Sequence, residues 1–274
     1  MRLTKLFWHS CLLCGLFFIL LLAGCDVVPT VSIGLSSQTP TKAANTWNTV
    51  APGIEVRSEV WQSPTTPTIS DTVSIARFNL HYVKLSVDYQ PNQPLSMQQW
   101  MQKDKAAALI NGGYFDGLDH ATALVITNGQ ASGTSYQGFG GMLDVTARGT
   151  VQLRSLRDQP YDPSEDLLQA TQCTPMLLEN GKRTQFNSDT KTSPRSVVAL
   201  DKQGRLLFIA SPSLSFTLDD MATLLEKSNL NLVTALNLDG GSSTGLYVNG
   251  SSNNQTIALD SYVNLPLVIV VKEK

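Results

Sequence analysis

The chain is poor in the side chains that would crosslink it or hold a soft metal, with 4 cysteines and 3 histidines among 274 residues. Cys11, Cys14 and Cys25 all belong to an N-terminal apolar segment and its end, so Cys173 alone is left in the body of the chain. An intrachain disulfide is thereby excluded, and Cys173 reads as a small buried hydrophobe rather than a nucleophile. Only His81 and His120 lie beyond that segment, too few for a zinc site built on nitrogen and sulfur. No metal and no cofactor is assigned, although a Mg²⁺ or Ca²⁺ site made of Asp oxygens stays open. Positive charge is not in excess either: 20 Lys+Arg stand against 22 Asp+Glu. A nucleic-acid partner held by phosphate neutralisation therefore has no support. The longest apolar run, Cys11 to Leu22, falls short of the roughly 20 residues that span a bilayer. No internal repeat is present.

What the sequence does contain begins with export. Residues 1–24 carry Arg2 and Lys5, no acid, an apolar stretch and a small-residue end, the composition of a secretory signal. Without them 18 basic side chains face 22 acidic ones. Leu22-Ala23-Gly24-Cys25 resembles the lipobox of bacterial lipoproteins, which implies lipidation of Cys25 and cleavage before it. Several acyl chains at ~0.8 kcal/mol per buried CH₂ make such attachment durable. Asp26 resembles the signal that retains lipoproteins at the periplasmic face of the inner membrane, with the outer membrane as the alternative. Residues 25–70, rich in Ser, Thr, Pro and Asn, read as a lipidated tether. Within it Gly53-Ile54-Glu55-Val56 and Val60-Trp61 are compatible with an opening strand.

Residues 71–274 read as one domain. Val83, Leu85, Val87 and Tyr89 alternate with polar neighbours, the period of a half-buried strand. Ser96-Met97-Gln98-Gln99 forms a capping box that predicts a helix to about Ala107, and Thr217 opens a second helix with Leu218, Met221, Leu224 and Leu225 on its apolar face. Met142–Val145 with Thr150–Leu153, and Val197–Leu200 with Leu206–Ile209, are hairpin patterns. Hairpins outnumber helices, so the expected class is α+β: a single domain of mixed, largely antiparallel sheet with a few packed helices.

Three polar, glycine-rich insertions interrupt the apolar strands: Asn111-Gly112-Gly113-Tyr114-Phe115-Asp116, Ser193-Pro194-Arg195-Ser196, and Asn237-Leu238-Asp239-Gly240-Gly241-Ser242-Ser243. Each alone is an ordinary tight turn. Together with Gln172–Gly181, the Val198–Arg205 stretch and Val248-Asn249-Gly250, they resemble the ordered motifs of the phosphodiester glycosidase family over residues 70–272. Ala210-Ser211 stands where that family often has Asp-Gly, a departure shared with its bacterial exopolysaccharide-type subgroup.

The resemblance implies a hydrolase that cleaves a sugar-1-phosphodiester in a cell-envelope or exopolysaccharide glycan. Such cleavage builds positive charge on the sugar, which suits flanking carboxyl groups about 5–5.5 Å apart for retention or about 6.5–9.5 Å apart for inversion. Asp239 is the first catalytic candidate and Asp116 the second, with Arg195 as a phosphate clamp. Asn111 and Asn237 are expected to hydrogen-bond sugar hydroxyls or hold the loops, Gly112 and Gly113 to line the substrate site, and Gly240, Gly241, Ser242 and Ser243 to bind substrate as an anion nest. His120 reads as a surface-loop residue or an assisting acid. Gly241-Ser242-Ser243-Thr244-Gly245 also matches a nucleophile elbow, but a strand pattern follows it and every histidine precedes it. The non-catalytic alternative is an envelope lipoprotein that binds glycans or glycosyl phosphates in the same pocket.

Overall fold

The computed structural model describes residues 46–187, 190–250 and 255–274, all within the unit Thr41–Lys274. The signal segment, Cys25 and Asp26 lie outside the described residues. None of the described helices is long and apolar enough to cross a membrane.

The chain opens with β1 (Asn48–Ala51), β2 (Ile54–Gln62), β3 (Ser70–Phe78) and β4 (Val83–Tyr89), followed by α1 (Met97–Asp104) and β5 (Ala108–Asn111). Next come β6 (Val125–Thr127), β7 (Gln130–Ser132), β8 (Gly141–Thr146), β9 (Val151–Ser155) and β10 (Leu167–Cys173). β11 (Met176–Glu179), β12 (Lys182–Arg183), β13 (Ser193–Asp201) and β14 (Leu206–Phe216) lead to α2 (Leu218–Lys227). β15 (Leu232–Asn237), a 3₁₀ turn at Gly241–Ser243, β16 (Leu246–Asn249), β17 (Gln255–Leu259) and β18 (Leu267–Glu273) complete the described residues. The molecule is thus richer in strand than the expected α+β description, with two α-helices among the described residues.

One boundary is corrected. The tether read over 25–70 gives way by Asn48, because β1 and β2 pair antiparallel with each other and β2 pairs with β3 along Ile54–Gln62. Ile54, Val56 and Trp61 are buried, so this Ser/Thr-rich stretch alternates apolar side chains into the core between its polar ones.

Three antiparallel sheets form, in the orders β1-β2-β3-β14-β13-β15-β11-β12, β7-β6-β10-β8-β9 and β17-β16-β5-β18-β4. Their inner faces share one core that includes Phe78 and Phe208 from the first, Leu143 and Cys173 from the second, and Ile110 and Ile269 from the third. The outer faces of two sheets are also covered. α2 lays Met221, Ala222 and Leu225 on Ile75, Val197 and Ile209. α1 lays Met97, Trp100 and Met101 on Leu109, Val268 and Val270. Burial on both faces explains why β18 is a continuous apolar run rather than an alternating one.

Both capping boxes are present, at Ser96 with Gln99 and at Thr217 with Asp220. α1 stops at Asp104, earlier than the expected Ala107, because Lys105 adopts a left-handed backbone that turns the chain into β5. Both expected hairpins form, with Val145 opposite Val151 and Leu200 opposite Leu206.

Asp144, wholly buried in β8, has Arg154 Nε 3.2 Å away, but no hydrogen bond reaches either carboxylate oxygen. Burial pushes its carboxyl up to about 6 against the pull of Arg154, with Glu165 adding to the rise. The folded state therefore holds this proton more tightly than the unfolded chain. Its stabilisation is fully present below the ordinary Asp value of ~3.9 and is lost as pH rises through about 6. Urea unfolding should show wild-type stability falling by on the order of 2 kcal/mol across that window, and Asp144→Asn should flatten the fall.

Candidate active site

Ser193–Ser196, read as a tight turn, instead opens strand β13, and the three motif segments meet at the Asn111 side chain at the end of β5. Its amide nitrogen donates to the Asp239 carbonyl at 2.7 Å and to the Gly112 carbonyl at 3.4 Å. Its oxygen accepts from the Ser196 hydroxyl at 2.7 Å and from the Gly245 amide at 3.2 Å. Backbone bonds reinforce the junction, since the Asp239 amide donates to the Gly112 carbonyl and the Leu238 amide to the Ser196 carbonyl. Gly113 and Gly240 are required by the closeness of the segments: a Cβ at Gly113 would lie 2.4 Å from the Gln172 carbonyl, and one at Gly240 2.8 Å from that of Pro194. Asn111 thus holds the loops, the second of the two roles expected for it, while Gly113 and Gly240 give room for the facing backbone.

Asp239 follows β15 and is half-buried, with its carboxylate accepting from the Gly240 amide at 2.9 Å and from the Ser243 side chain. Burial raises its pKa, opposed by those two hydrogen bonds. Gly240 and Ser243 therefore serve the carboxylate instead of a free anion nest. The Ser243 and Thr244 amides are likewise engaged, by the Gly240 and Gly241 carbonyls. Ser242 is exposed, and the Gly241–Ser243 turn enters the strand β16, so no nucleophile elbow forms.

Tyr114 stands beside this carboxylate. Its hydroxyl donates to the Thr174 carbonyl at 2.9 Å and accepts from Asn237, whose amide also donates to Thr174 at 3.0 Å. Burial, then the neighbouring Cys173 and Asp239, hold the phenol well above its ordinary value, against the opposing charge of Arg195. Tyr114 is therefore a fixed O–H. Asn237 positions it and the Thr174-Pro175 turn rather than facing open solvent.

Arg195, buried in β13, donates from Nε to the Phe216 carbonyl at 3.1 Å and from Nη2 to the Lys191 carbonyl at 2.8 Å. It is a positive charge held by main-chain carbonyls. Cys173 is fully buried and its thiol is pushed up to about 12, chiefly by burial, consistent with a packing role.

Asp116 is not brought into this cluster. It is exposed, and its Oδ1 accepts from the Leu118 and His120 amides, both at 2.9 Å. Those backbone bonds hold it below the ordinary carboxylate range, and His120 Nδ1 lies 3.8 Å away. Asp116 and His120 shape their own turn. Among the described residues no three His, Cys, Asp or Glu side chains are grouped as metal ligands.

A cleft of about 570 Å³ opens beside Tyr114, walled by Thr174, Pro175, Phe139 and Phe186 with Arg157 and Glu179 at its polar side. Phe139 is 50% exposed yet stacked on Tyr136 at 4.7 Å between centroids. The Tyr136 amide in turn donates to the buried Gln172 side chain at 2.9 Å. The sequence motif contains Tyr114 without indicating a role for it, and Phe139 lies outside the three motifs. The signal for the latter is an aromatic set among the glycines 138, 140 and 141.

The family of phosphodiester glycosidases matches over residues 104–272, which spans all of these insertions. The chain belongs to that family, and so to enzymes of the glycoside hydrolase type. Among solved structures it is similar to the catalytic domain of zebrafish N-acetylglucosamine-1-phosphodiester alpha-N-acetylglucosaminidase, auto-inhibited by its pro-peptide. That likeness has 19% identity, a TM-score of 0.64 and coverage of 85% of this chain and 87% of that one. A hypothetical protein from Synechocystis is similar at 15% identity and a TM-score of 0.60, over 84% of this chain and 64% of that one. At these identities the likenesses carry the fold. No curated protein matches the chain.

Asn111→Ala removes both ends of the junction at once and leaves the buried Ser196 hydroxyl and Gly245 amide without their acceptor. Stability should fall by about 3 kcal/mol, read as a shift of the urea midpoint at unchanged slope.

Proposed function

We propose that the chain hydrolyses the bond between a sugar's anomeric carbon and a phosphodiester in a cell-envelope or exopolysaccharide glycan. The observation that carries this reading is Tyr114, a buried phenol on the wall of the open cleft that feels both the half-buried Asp239 carboxylate and the fixed charge of Arg195. The name of the zebrafish relative supports it, since that enzyme acts on an N-acetylglucosamine-1-phosphodiester.

In this reading Asp239 supplies the negative charge that meets the sugar as its anomeric carbon becomes positive. When the anomeric C–O bond breaks, the departing group is a phosphate monoester, a weak base that needs no proton donor; water forms the new bond to the anomeric carbon and its proton passes to solvent, so one carboxylate suffices where an alkoxide leaving group would need two. Arg195 lowers the energy of the departing anion through its charge, and the Tyr114 hydroxyl orients the site through Thr174. Phe139 offers a flat apolar face on which the C–H side of a sugar ring stacks. The signal-like composition of residues 1–24 and the lipobox-like Leu22-Ala23-Gly24-Cys25 support a location on the bacterial envelope, with Asp26 favouring the periplasmic face of the inner membrane.

Incubation with a panel of sugar-1-phosphodiesters, scored by mass for released reducing sugar, tests the reading. Asp239→Asn should lower kcat by about 10²–10³ with substrate affinity retained. Binding of panel members by wild type without any release would instead support the non-catalytic glycan-binding alternative. Since the reaction uses ionised Asp239 and burial raises its pKa, wild-type kcat should fall on the acid side at a pH above the ordinary ~3.9 of aspartate.

Phe139→Ala should raise KM by about tenfold, the loss of one stacking contact of about 1.4 kcal/mol, with kcat nearly unchanged. Steady-state kinetics that moved kcat and left KM alone would remove Phe139 from the sugar-binding wall.

A further inference from the structure

At the opposite end of the strands from Asp239, a second cleft of about 500 Å³ runs along the edge strand β4 against the turn between β8 and β9. Register fixes the separation: β18 pairs Val268 with Asn111 at the active-site end, and Lys272 lies four residues further on, ~13 Å at ~3.3 Å per residue. Lys84, Arg148, Lys272 and Lys274 line this cleft, and no acidic side chain does. Lys84 and Lys272 are cross-strand partners, an arrangement of like charges that costs stability unless something offsets it. Asp104 lies 3.4 Å from Lys272 and offsets one charge, while neither Lys84 nor Arg148 is in an ion pair among the described residues. In a chain with net charge −2 this is a local concentration of positive charge that Asp104 offsets only at Lys272.

The remaining lining is aliphatic, and Leu168 is 41% exposed on its floor. The polar side chains of the wall are already occupied with one another. Gln169 accepts from the Val87 amide and donates to Asn128, and the Ser86 hydroxyl donates to Asp88. A sugar would find few partners there, and the lining has no aromatic ring for a nucleobase to stack on. The concave shape and size suit a single small molecule rather than a flat membrane surface.

We infer that this cleft binds a small amphiphilic anion, a phosphate or carboxylate headgroup on an aliphatic chain, with Lys84 and Arg148 on the headgroup and Leu168 under the chain. This site is independent of the hydrolytic reading.

Isothermal titration of the full chain with octyl phosphate, below its micelle concentration, against inorganic phosphate and uncharged octyl glucoside tests it. Octyl phosphate should bind at least about tenfold more tightly than either control. Its affinity should weaken as salt rises from about 20 to about 200 mM. Lys84→Gln combined with Arg148→Gln should weaken octyl phosphate about tenfold, and Leu168→Ser should narrow its advantage over inorganic phosphate. Asp239→Asn should leave it bound as before. The exposed positions of Lys84 and Arg148 keep the double variant folded, which circular dichroism checks. Equal binding of octyl phosphate and inorganic phosphate would overturn the aliphatic part of the inference. Unchanged binding in the double variant, loss in Asp239→Asn, or binding to anionic vesicles without binding of the monomer would overturn the site itself.

Discussion

A single buried carboxamide, that of Asn111, ties together segments that are far apart in the chain. Its two N–H groups and its oxygen reach residues 196, 239 and 245 as well as its own neighbour. Each of those segments leaves a different strand, β13, β15 or the approach to β16, so the arrangement of two sheets is fixed at this point. An aspartate at 111 would lose the donors and a leucine would lose both functions. Because Asn111 holds Asp239 by its main-chain carbonyl, the carboxylate is left to the Gly240 amide and Ser243. Position and chemistry are thereby separated within one residue.

The glycines follow from the same constraint. Loops drawn together by main-chain bonds approach closely, and Gly113 and Gly240 stand where a Cβ would collide with a carbonyl of the facing segment. The sequence shows such glycines clearly, but it does not say whether they make room for a ligand or for another stretch of backbone. Here they make room for backbone.

Local structure was therefore legible and long-range pairing was not. Ser96 and Thr217 announce their helices because a capping box is a contact within four residues, and the β8–β9 and β13–β14 hairpins are spaced by their turns. Nothing in the sequence places β3 beside β14 or β18 between β4 and β5, since those pairings depend on which apolar faces meet. The strands β1 and β2 were partly hidden because polar Ser, Thr and Glu occupy the alternate positions. Of the candidate site, the convergence of Asn111, Ser196 and Asp239 follows the three motifs, while the separation of Asp116 from them does not. An Asp beside paired glycines looks the same whether it faces a cleft or caps its own turn. Tyr114 gains its role only through Asn237 and Thr174, neither of which is near it in sequence.

The surviving cluster favours a reaction with little proton traffic. Tyr114 is held protonated by burial and by Asp239 nearby, and Arg195 has two of its donors committed to main-chain carbonyls, so neither is poised to exchange protons. What remains adjustable is the Asp239 carboxylate, raised by burial and pulled back by two hydrogen bonds. A fixed cation and one tuned carboxylate in a partly desolvated setting stabilise separated charge without reorganising. In the proposed reaction that is what departure of a phosphate monoester from an anomeric carbon demands, because the leaving group already carries its own negative charge. The near balance of acids and bases over the whole chain fits this economy of means. With no long-range positive field to draw a phosphate in, recognition has to be local, and Arg195 is locked in place by the same backbone that positions Ser196 for Asn111.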